Sequence, residues 1–167
     1  TGTLGFDPGN WLNTSSGQIN VAQGAQLLLA NTTFTAGAVS NTGLVTVIGN
    51  DSRVQAGASI SGDWQINAGR LFVEGTQRIG TLTLFGGTLT GQGTLTVDAL
   101  SFNAGTLTNP SFQTGSRLNV LGSTSFDGSS NQQIGNSAQL HLQGNSVWTA
   151  GNGRLIVDSA YSAGSSS

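Results

Sequence analysis

The stretch LTLFGGTLT at residues 82–90 returns one repeat later as LSFNAGTLT at residues 100–108. When the two stretches are aligned, apolar residues match apolar residues, small residues match small ones, and the tetrapeptide Gly-Thr-Leu-Thr is identical in both. The stretch WQINAGRLF at residues 64–72, placed upstream at the same offset, fits the same frame. A short repeat with alternating apolar residues and a fixed glycine is typical of a coil that stacks on copies of itself.

The same frame extends over most of the chain and marks three apolar positions in each coil. The coils start at Leu27, Val45, Trp64, Leu82, Leu100, Leu118 and Leu140. The second position, about seven residues further on, holds Phe34, Leu71, Leu89, Leu107 and Val147, with Val54 and Phe126 as substitutes in the two coils that miss it. The third position, roughly 12 to 16 residues after the start, holds Val39, Ile60, Ile79, Leu95 with Val97, Ile134, and Leu155 with Val157.

This pattern predicts an all-β fold, a single-stranded parallel β-helix (β-solenoid) with three short strands in each coil of about 18–22 residues. Alternation with period 2 indicates strands, and frequent Gly, Thr, Val, Ile and Asn disfavour helices. We favour a right-handed coil, although the modal coil length also fits the left-handed kind. The predicted core comprises Leu27, Leu29, Val45, Val47, Trp64, Ile66, Leu82, Leu84, Leu100, Phe102, Leu118, Val120, Leu140 and Leu142.

The frame also predicts how the chain is divided. Residues 17–158 form the solenoid of about seven coils, and residues 1–16, with the turn sequence Asp7-Pro8-Gly9, form an opening segment or cap. The longer step between the last two coil starts is assigned to a bulged loop at residues 127–131. Residues 159–167 form a Ser-rich tail.

Composition excludes several classes of function. Only 7% of residues are charged, the net charge is −2, and the five basic residues are all arginine, so a basic stripe for nucleic acid is missing. Hydrophobic residues make up 36% of the chain and follow a regular pattern, which argues against disorder. The chain has no Cys for a disulfide or thiolate metal site. It shows neither a signal peptide nor an apolar run of about 18 residues, so we expect no membrane insertion.

The sequence GTLTGQGTLTV at residues 87–97 resembles the repeats of large secreted bacterial β-helix proteins. These include filamentous-haemagglutinin-type exoproteins and autotransporter passengers. The resemblance covers roughly residues 17–158 and lies in the style of the repeat, not in a diagnostic motif. It implies a secreted or cell-surface (extracellular) location, a role as an adhesin or surface stalk, and a solenoid without catalytic residues.

Acidic residues and the single histidine give little sign of catalysis. Pectate-lyase-like enzymes share the parallel β-helix architecture and use clustered carboxylates with Ca²⁺ or paired acids. The seven acids here scatter over different frame positions: Asp7, Asp51, Asp63, Glu74, Asp98, Asp127 and Asp158. His141 lies between two inward leucines and should point outward. We therefore expect no enzyme, no catalytic residue, no cofactor and no metal site.

Threonine pairs and two aromatic residues define a possible contact face. Thr88 with Thr90 and Thr106 with Thr108 should stand in register on one outer face, as in ice-binding β-solenoids. Phe72 and Trp148 share that outward frame position and could stack on sugar rings or on another protein. These six residues are the candidate site of an alternative function, a carbohydrate-binding or ice-binding module. Against it, the pair position holds Arg and Phe one coil earlier, and strand propensity alone explains exposed threonine.

The sequence thus predicts a structural, non-catalytic segment of an extracellular bacterial surface protein, an adhesin or fibre. The expected partners are copies of itself or neighbouring coils of a longer solenoid, with carbohydrate as the alternative. A β-helix ends in strands with unpaired N–H and C=O groups, and this chain has almost no charge with which to guard those edges. The frame makes one sharp local prediction, that Leu84 and Phe102 are stacked neighbours with both side chains buried.

Overall fold

The computed structural model describes residues 2–6, 11–13, 17–109, 116–149 and 151–158. These residues form 21 β-strands, each paired in parallel with its neighbours, and contain no helix. The strands are β1 (Thr3–Phe6), β2 (Trp11–Asn13), β3 (Gln18–Val21), β4 (Gln26–Ala30), β5 (Thr32–Phe34), β6 (Gly37–Asn41), β7 (Leu44–Gly49), β8 (Asp51–Val54), β9 (Ala58–Ile60), β10 (Asp63–Ile66), β11 (Arg70–Val73), β12 (Thr76–Leu84), β13 (Thr88–Gly91), β14 (Thr94–Phe102), β15 (Gly105–Thr108), β16 (Arg117–Val120), β17 (Thr124–Phe126), β18 (Gln132–Gly135), β19 (Gln139–Leu142), β20 (Ser146–Trp148) and β21 (Leu155–Asp158).

The chain winds through about seven turns and builds three faces. The first face stacks β1, β4, β7, β10, the second halves of β12 and β14, β17 and β20. The second face stacks β2, β5, β8, β11, β13, β15, β18 and β21. The third face consists of a separate three-stranded sheet, β3, β6 and β9, followed by the first halves of β12 and β14, β16 and β19, and no strand pair joins β9 to β12 among the described residues. The predicted all-β parallel solenoid is confirmed.

Two strands turn the corner between the third and first faces without a break. β12 and β14 are nine residues long; the first half of each lies on the third face and the second half on the first face. They pair with each other over both halves, from Thr76↔Thr94 to Leu84↔Phe102. Beyond them the faces separate again, because the first half of β14 pairs with β16 and its second half with β17.

Inward side chains form mostly apolar columns along the axis, in which a few buried polar residues such as Thr124 also take part. Leu84 and Phe102 are paired neighbours and both are 0% exposed, which confirms the prediction made for them. Trp64 is also buried in the first face, where its indole N–H donates to the Ser61 carbonyl at 3.0 Å. The predicted core is buried except at its last members, since Leu140 is half-buried and Leu142 is 39% exposed.

The predicted coil frame is correct as far as Leu100 and wrong after it. Leu27, Val45, Trp64, Leu82 and Leu100 do form one column of the first face. Leu100, however, pairs with Thr124, in a coil where equivalent residues are 24 apart. Leu118 pairs instead with Leu95, and Leu140 pairs with Leu118, so both lie on the third face. The cause is the longer connection between β15 and β16, since only two residues separate β13 from β14.

The same shift moves the later members of the second and third positions. Phe126 and Val147 lie on the first face, paired with Phe102 and Ser125, and not on the second as predicted. Ile134 lies on the second face, paired with Leu107, and not on the third. Leu155 and Val157, predicted for the third position, likewise lie on the second face, on β21.

The ends of the described chain belong to the same architecture. Strands β1 and β2 pair with β4 and β5, so the segment predicted as a cap already contributes strands to the first coil. The predicted turn at Asp7-Pro8-Gly9 and the tail at residues 159–167 lie outside the described residues.

Close stacking of the coils dictates glycine at some corners. Gly69 has a φ of +72°, and a Cβ there would lie 2.3 Å from the Asn50 carbonyl oxygen of the coil below. Gly91 is tighter, with a φ of +145° and a Cβ position 1.9 Å from the Val73 carbonyl oxygen. Only glycine fits such sites, because any side chain would meet backbone of the neighbouring coil.

Candidate functional site

Phe72, a member of the predicted contact face, lies on the outer side of the second face. On β11 it pairs with Arg53 on one side and Thr90 on the other, and its side chain is half-buried. The Arg53 guanidinium carbon is 4.0 Å from the centre of the Phe72 ring, and Arg53 Nη1 donates to Glu74 Oε1 at 2.7 Å. A face of the ring is thus covered by a cation that is itself held by a carboxylate.

The threonines predicted beside Phe72 form only a short array. Thr88 and Thr106 are paired neighbours and half-exposed, and Thr108 is half-exposed as well. Thr90 is only 2% exposed. The column through Thr88 and Thr106 continues into Arg70 on one side and Gln133 on the other. The hydroxyl pattern that an ice-binding surface repeats along its length is therefore limited to two neighbouring coils.

Trp148, predicted to share the outward position of Phe72, occupies a different place. On β20 it pairs with Phe126 in the inward column of the first face. The Trp148 and Phe126 rings are stacked with centroids 5.6 Å apart and planes at 23°, and Phe126 lies 6.1 Å from Phe102. Trp148 is 42% exposed because it stands in the last described coil, and not because it faces outward. The prediction that Trp148 and Phe72 share one outer surface is wrong.

Four acidic side chains of the described residues contact a neighbouring coil. Arg70 contacts Asp51 through two hydrogen bonds of 2.8 and 2.9 Å, and both belong to adjacent strands of the second face. Arg78 and Asp98 are joined at 2.8 Å between β12 and β14. Asp63 accepts a hydrogen bond from the Thr81 backbone N–H at 2.8 Å. Among the described residues no three His, Cys, Asp or Glu side chains come together as metal ligands would.

Asp127 shapes the loop between β17 and β18. Its carboxylate accepts from the Ser129 hydroxyl at 2.7 Å and from the Ser129 backbone N–H at 2.9 Å. The Ser129 hydroxyl contributes most to holding the pKa of Asp127 below its ordinary value, followed by the Ser129 N–H; desolvation opposes them, and the Thr149 hydroxyl adds the least. The carboxylate is thus committed to its own turn, as in other Asx turns.

Two shallow grooves lie on the outer surface. One, of about 280 Å³, runs along the first face where β14 passes to β17, and Ser101, Ser123, Ser125 and Asn145 are among its lining residues. The other, of about 320 Å³, lies beside the Arg78–Asp98 ion pair. The first contains only neutral side chains, and in the second the two charges neutralise each other, so neither presents an acid–base pair for catalysis.

Apolar side chains are exposed where the solenoid stops in the described chain. At one end Leu4, the partner of buried Leu27, is 56% exposed. At the other end the inward residues Leu142, Trp148 and Val157 are exposed, the last of them by 67%. The sequence predicted unguarded ends and an inward direction for Leu142 and Val157, whereas the inward direction of Trp148 follows only from the corrected register.

No protein-family model, curated protein or solved structure matches this chain. Within the described ranges there is no helix with the length and apolar character that crossing a bilayer requires.

Proposed function

We propose that this chain is a structural, non-catalytic β-solenoid segment of an extracellular bacterial surface protein, an adhesin or fibre. Its partners are copies of itself or neighbouring coils of a longer solenoid. The observation that carries the proposal is the mostly apolar column in which each coil buries its inward side chains against the next, as between Leu84 and Phe102. Three arginines and three acids of the described chain serve the same purpose, since each of their ion pairs joins neighbouring coils.

The extracellular and bacterial parts of the proposal rest on the sequence. The GTLT repeats resemble those of secreted bacterial β-helix proteins, and a Cys-free chain with few charges is compatible with export. Backbone hydrogen bonding in every coil also suits a protein exposed to proteases, because cleavage requires local opening of the ladder.

Resistance to a protease that cuts after arginine tests the structural role. Arg53, Arg70 and Arg78 lie within paired strands, so the folded chain should remain uncut at these sites for hours. Ile66→Asp, which places a charge in the buried column, should admit cleavage, whereas Gln65→Asp on the outer side of the same strand should not. Rapid cleavage of the unaltered chain at these arginines would contradict a self-supporting structural segment.

Two further measurements address location and catalysis. Antibodies raised against the folded chain should label intact cells of the source organism without permeabilisation, and labelling that requires permeabilisation would contradict surface exposure. Incubation with acidic polysaccharides should release no new reducing or unsaturated ends, and reproducible release would refute the non-catalytic role.

A carbohydrate- or ice-binding role has weaker geometric support. Thr90 is buried, Trp148 lies in the inward column, and Phe72 is engaged by Arg53. The remaining members of the predicted face, Thr88, Thr106 and Thr108, are only half-exposed. Such a role predicts that Thr88→Ala and Thr106→Ala abolish retention on glycans or on ice, and we expect neither kind of retention for the unaltered chain.

A further inference from the structure

The two ends of the described solenoid carry strands of the same lengths in the same chain order. In chain order the first three strands, β1 to β3, have four, three and four residues, and the last three, β19 to β21, also have four, three and four. Each of these six strands has a single neighbour among the described strands, so the N–H and C=O groups of its other edge pair with no described strand.

The surfaces between those edges are apolar and nearly uncharged. Leu4 at one end and Leu142, Trp148 and Val157 at the other point along the inward columns and are exposed. The six terminal strands contain no Lys, Arg or Glu, and Asp158 is their one acidic residue. Exposed apolar surface beside unpaired strand edges is the arrangement that favours addition of further strands.

Strand direction determines how a second copy can add. All strand pairs within the described chain are parallel, so an end extends the same hydrogen-bond pattern only to the opposite end of another copy. Two identical ends brought together would instead make antiparallel pairs. A head-to-tail contact uses different surfaces on the two copies and leaves one of each free, so it does not close into a dimer.

We propose that copies of this chain stack head to tail into a polar filament, with the coil containing Leu4 of one copy placed on the coil containing Val157 of the next. The chain visits the faces in the order first, second, third, and its last described strand, β21, lies on the second face. The next strand of the stack therefore belongs on the third face, where β1 of the added copy lies over β19. Strands β2 and β3 then lie over β20 and β21, and the added copy is rotated by one face. This inference rests on the structural role proposed above and names its partner as a second copy.

Single substitutions at either end provide the test. The unaltered chain should show a weight-average mass in sedimentation that rises with concentration to about twice that of the monomer or more. Val157→Asp should remain monomeric, because the charge would be buried at the contact. Ile156→Asp is the matched control, since Ile156 is exposed on the outer side of the same strand and should associate as the unaltered chain does. Leu142→Asp provides a second end variant on a different strand.

Mixing the variants tests the polarity. Leu4→Asp blocks one end and Val157→Asp the other, so each should be monomeric alone, and an equimolar mixture should form a one-to-one dimer that grows no further. Dimers of either variant alone would show like-to-like contact and overturn the head-to-tail arrangement. A strictly monomeric unaltered chain, or equal loss of association in Ile156→Asp and Val157→Asp, would also overturn it. The protease experiment is independent of association, so a resistant monomer would refute the filament and leave the structural role intact.

Discussion

Leu84 shows how one side chain joins three coils. It pairs with Ile66 on one side and Phe102 on the other, and all three are 0% exposed. Replacing it with alanine leaves a cavity between neighbours that are fixed by backbone hydrogen bonds. Leu84→Ala should therefore lower the free energy of unfolding by about 2–5 kcal/mol. Thr83→Ala, on the outer side of the same strand, should change it by about 0.5 kcal/mol or less. Urea denaturation followed by circular dichroism measures both, and equal effects would contradict the inward assignment.

Asp127 should make a contribution to stability that depends on pH. Hydrogen bonds from Ser129 lower its folded pKa, so the ionised form stabilises the native state. This contribution is complete above the unfolded pKa, which is about 3.9, and is lost as the pH falls through the folded value. Asp127→Asn should thus be less stable than the unaltered chain at pH 6, and the difference should shrink below about pH 4. Thermal melts over this range test the sign, and a difference that grows on acidification would contradict it.

At the scale of the element, close approach between coils restricts which residues a strand can hold. Gly91 ends β13 with a φ of +145°, and a Cβ there would meet the Val73 carbonyl oxygen. Gly91→Ala should cost about 1–3 kcal/mol or more, since both backbone strain and a clash with backbone result. Gly49→Ala is the matched control at the end of β7, where a Cβ would meet nothing within 4 Å. It should be neutral or stabilising by up to about 1 kcal/mol, and similar losses at both sites would contradict the close stacking.

The strands also show how far the sequence predicts this structure. The fold and the stacking through Leu100 follow from the repeat, because a fixed step aligns apolar with apolar and glycine with glycine. Leu118 was assigned to the wrong face because it lies 18 residues after Leu100, the same step that separates Leu82 from Leu100, and is apolar as an inward position requires. The true partner of Leu100 is Thr124, a polar residue that the apolar frame could not select. Trp148 was misplaced for the same reason, since its inward direction depends on the register after the long connection.

For the whole molecule, each coil should be removable as a unit. Deleting residues 81–98 joins Gly80 to Ala99 and brings Trp64 over Leu100 and Ile66 over Phe102, so the inward columns are retained. This shortened chain should unfold cooperatively with a β-rich spectrum, although it loses the Arg78–Asp98 pair. Deleting residues 82–98 instead removes one residue fewer. The part of the strand after the junction is then shifted by one residue, so the side chains that pointed inward point outward. This second deletion should fail to give a cooperative transition, and equal behaviour of the two deletions would contradict the columns.

The winding of the chain also determines how the molecule responds to force. The strands run around the axis, and each coil is hydrogen-bonded only to the coils before and after it in the described chain. Tension applied between the chain ends should therefore open the ladder bonds of the outermost coil first, because that coil is paired on one side only, whereas the coils further in are paired on both sides and stay folded longer. Each released coil of about 18 residues adds about 60 Å of extended chain. The solenoid would then lengthen in steps under load, as a tether that yields gradually before it breaks.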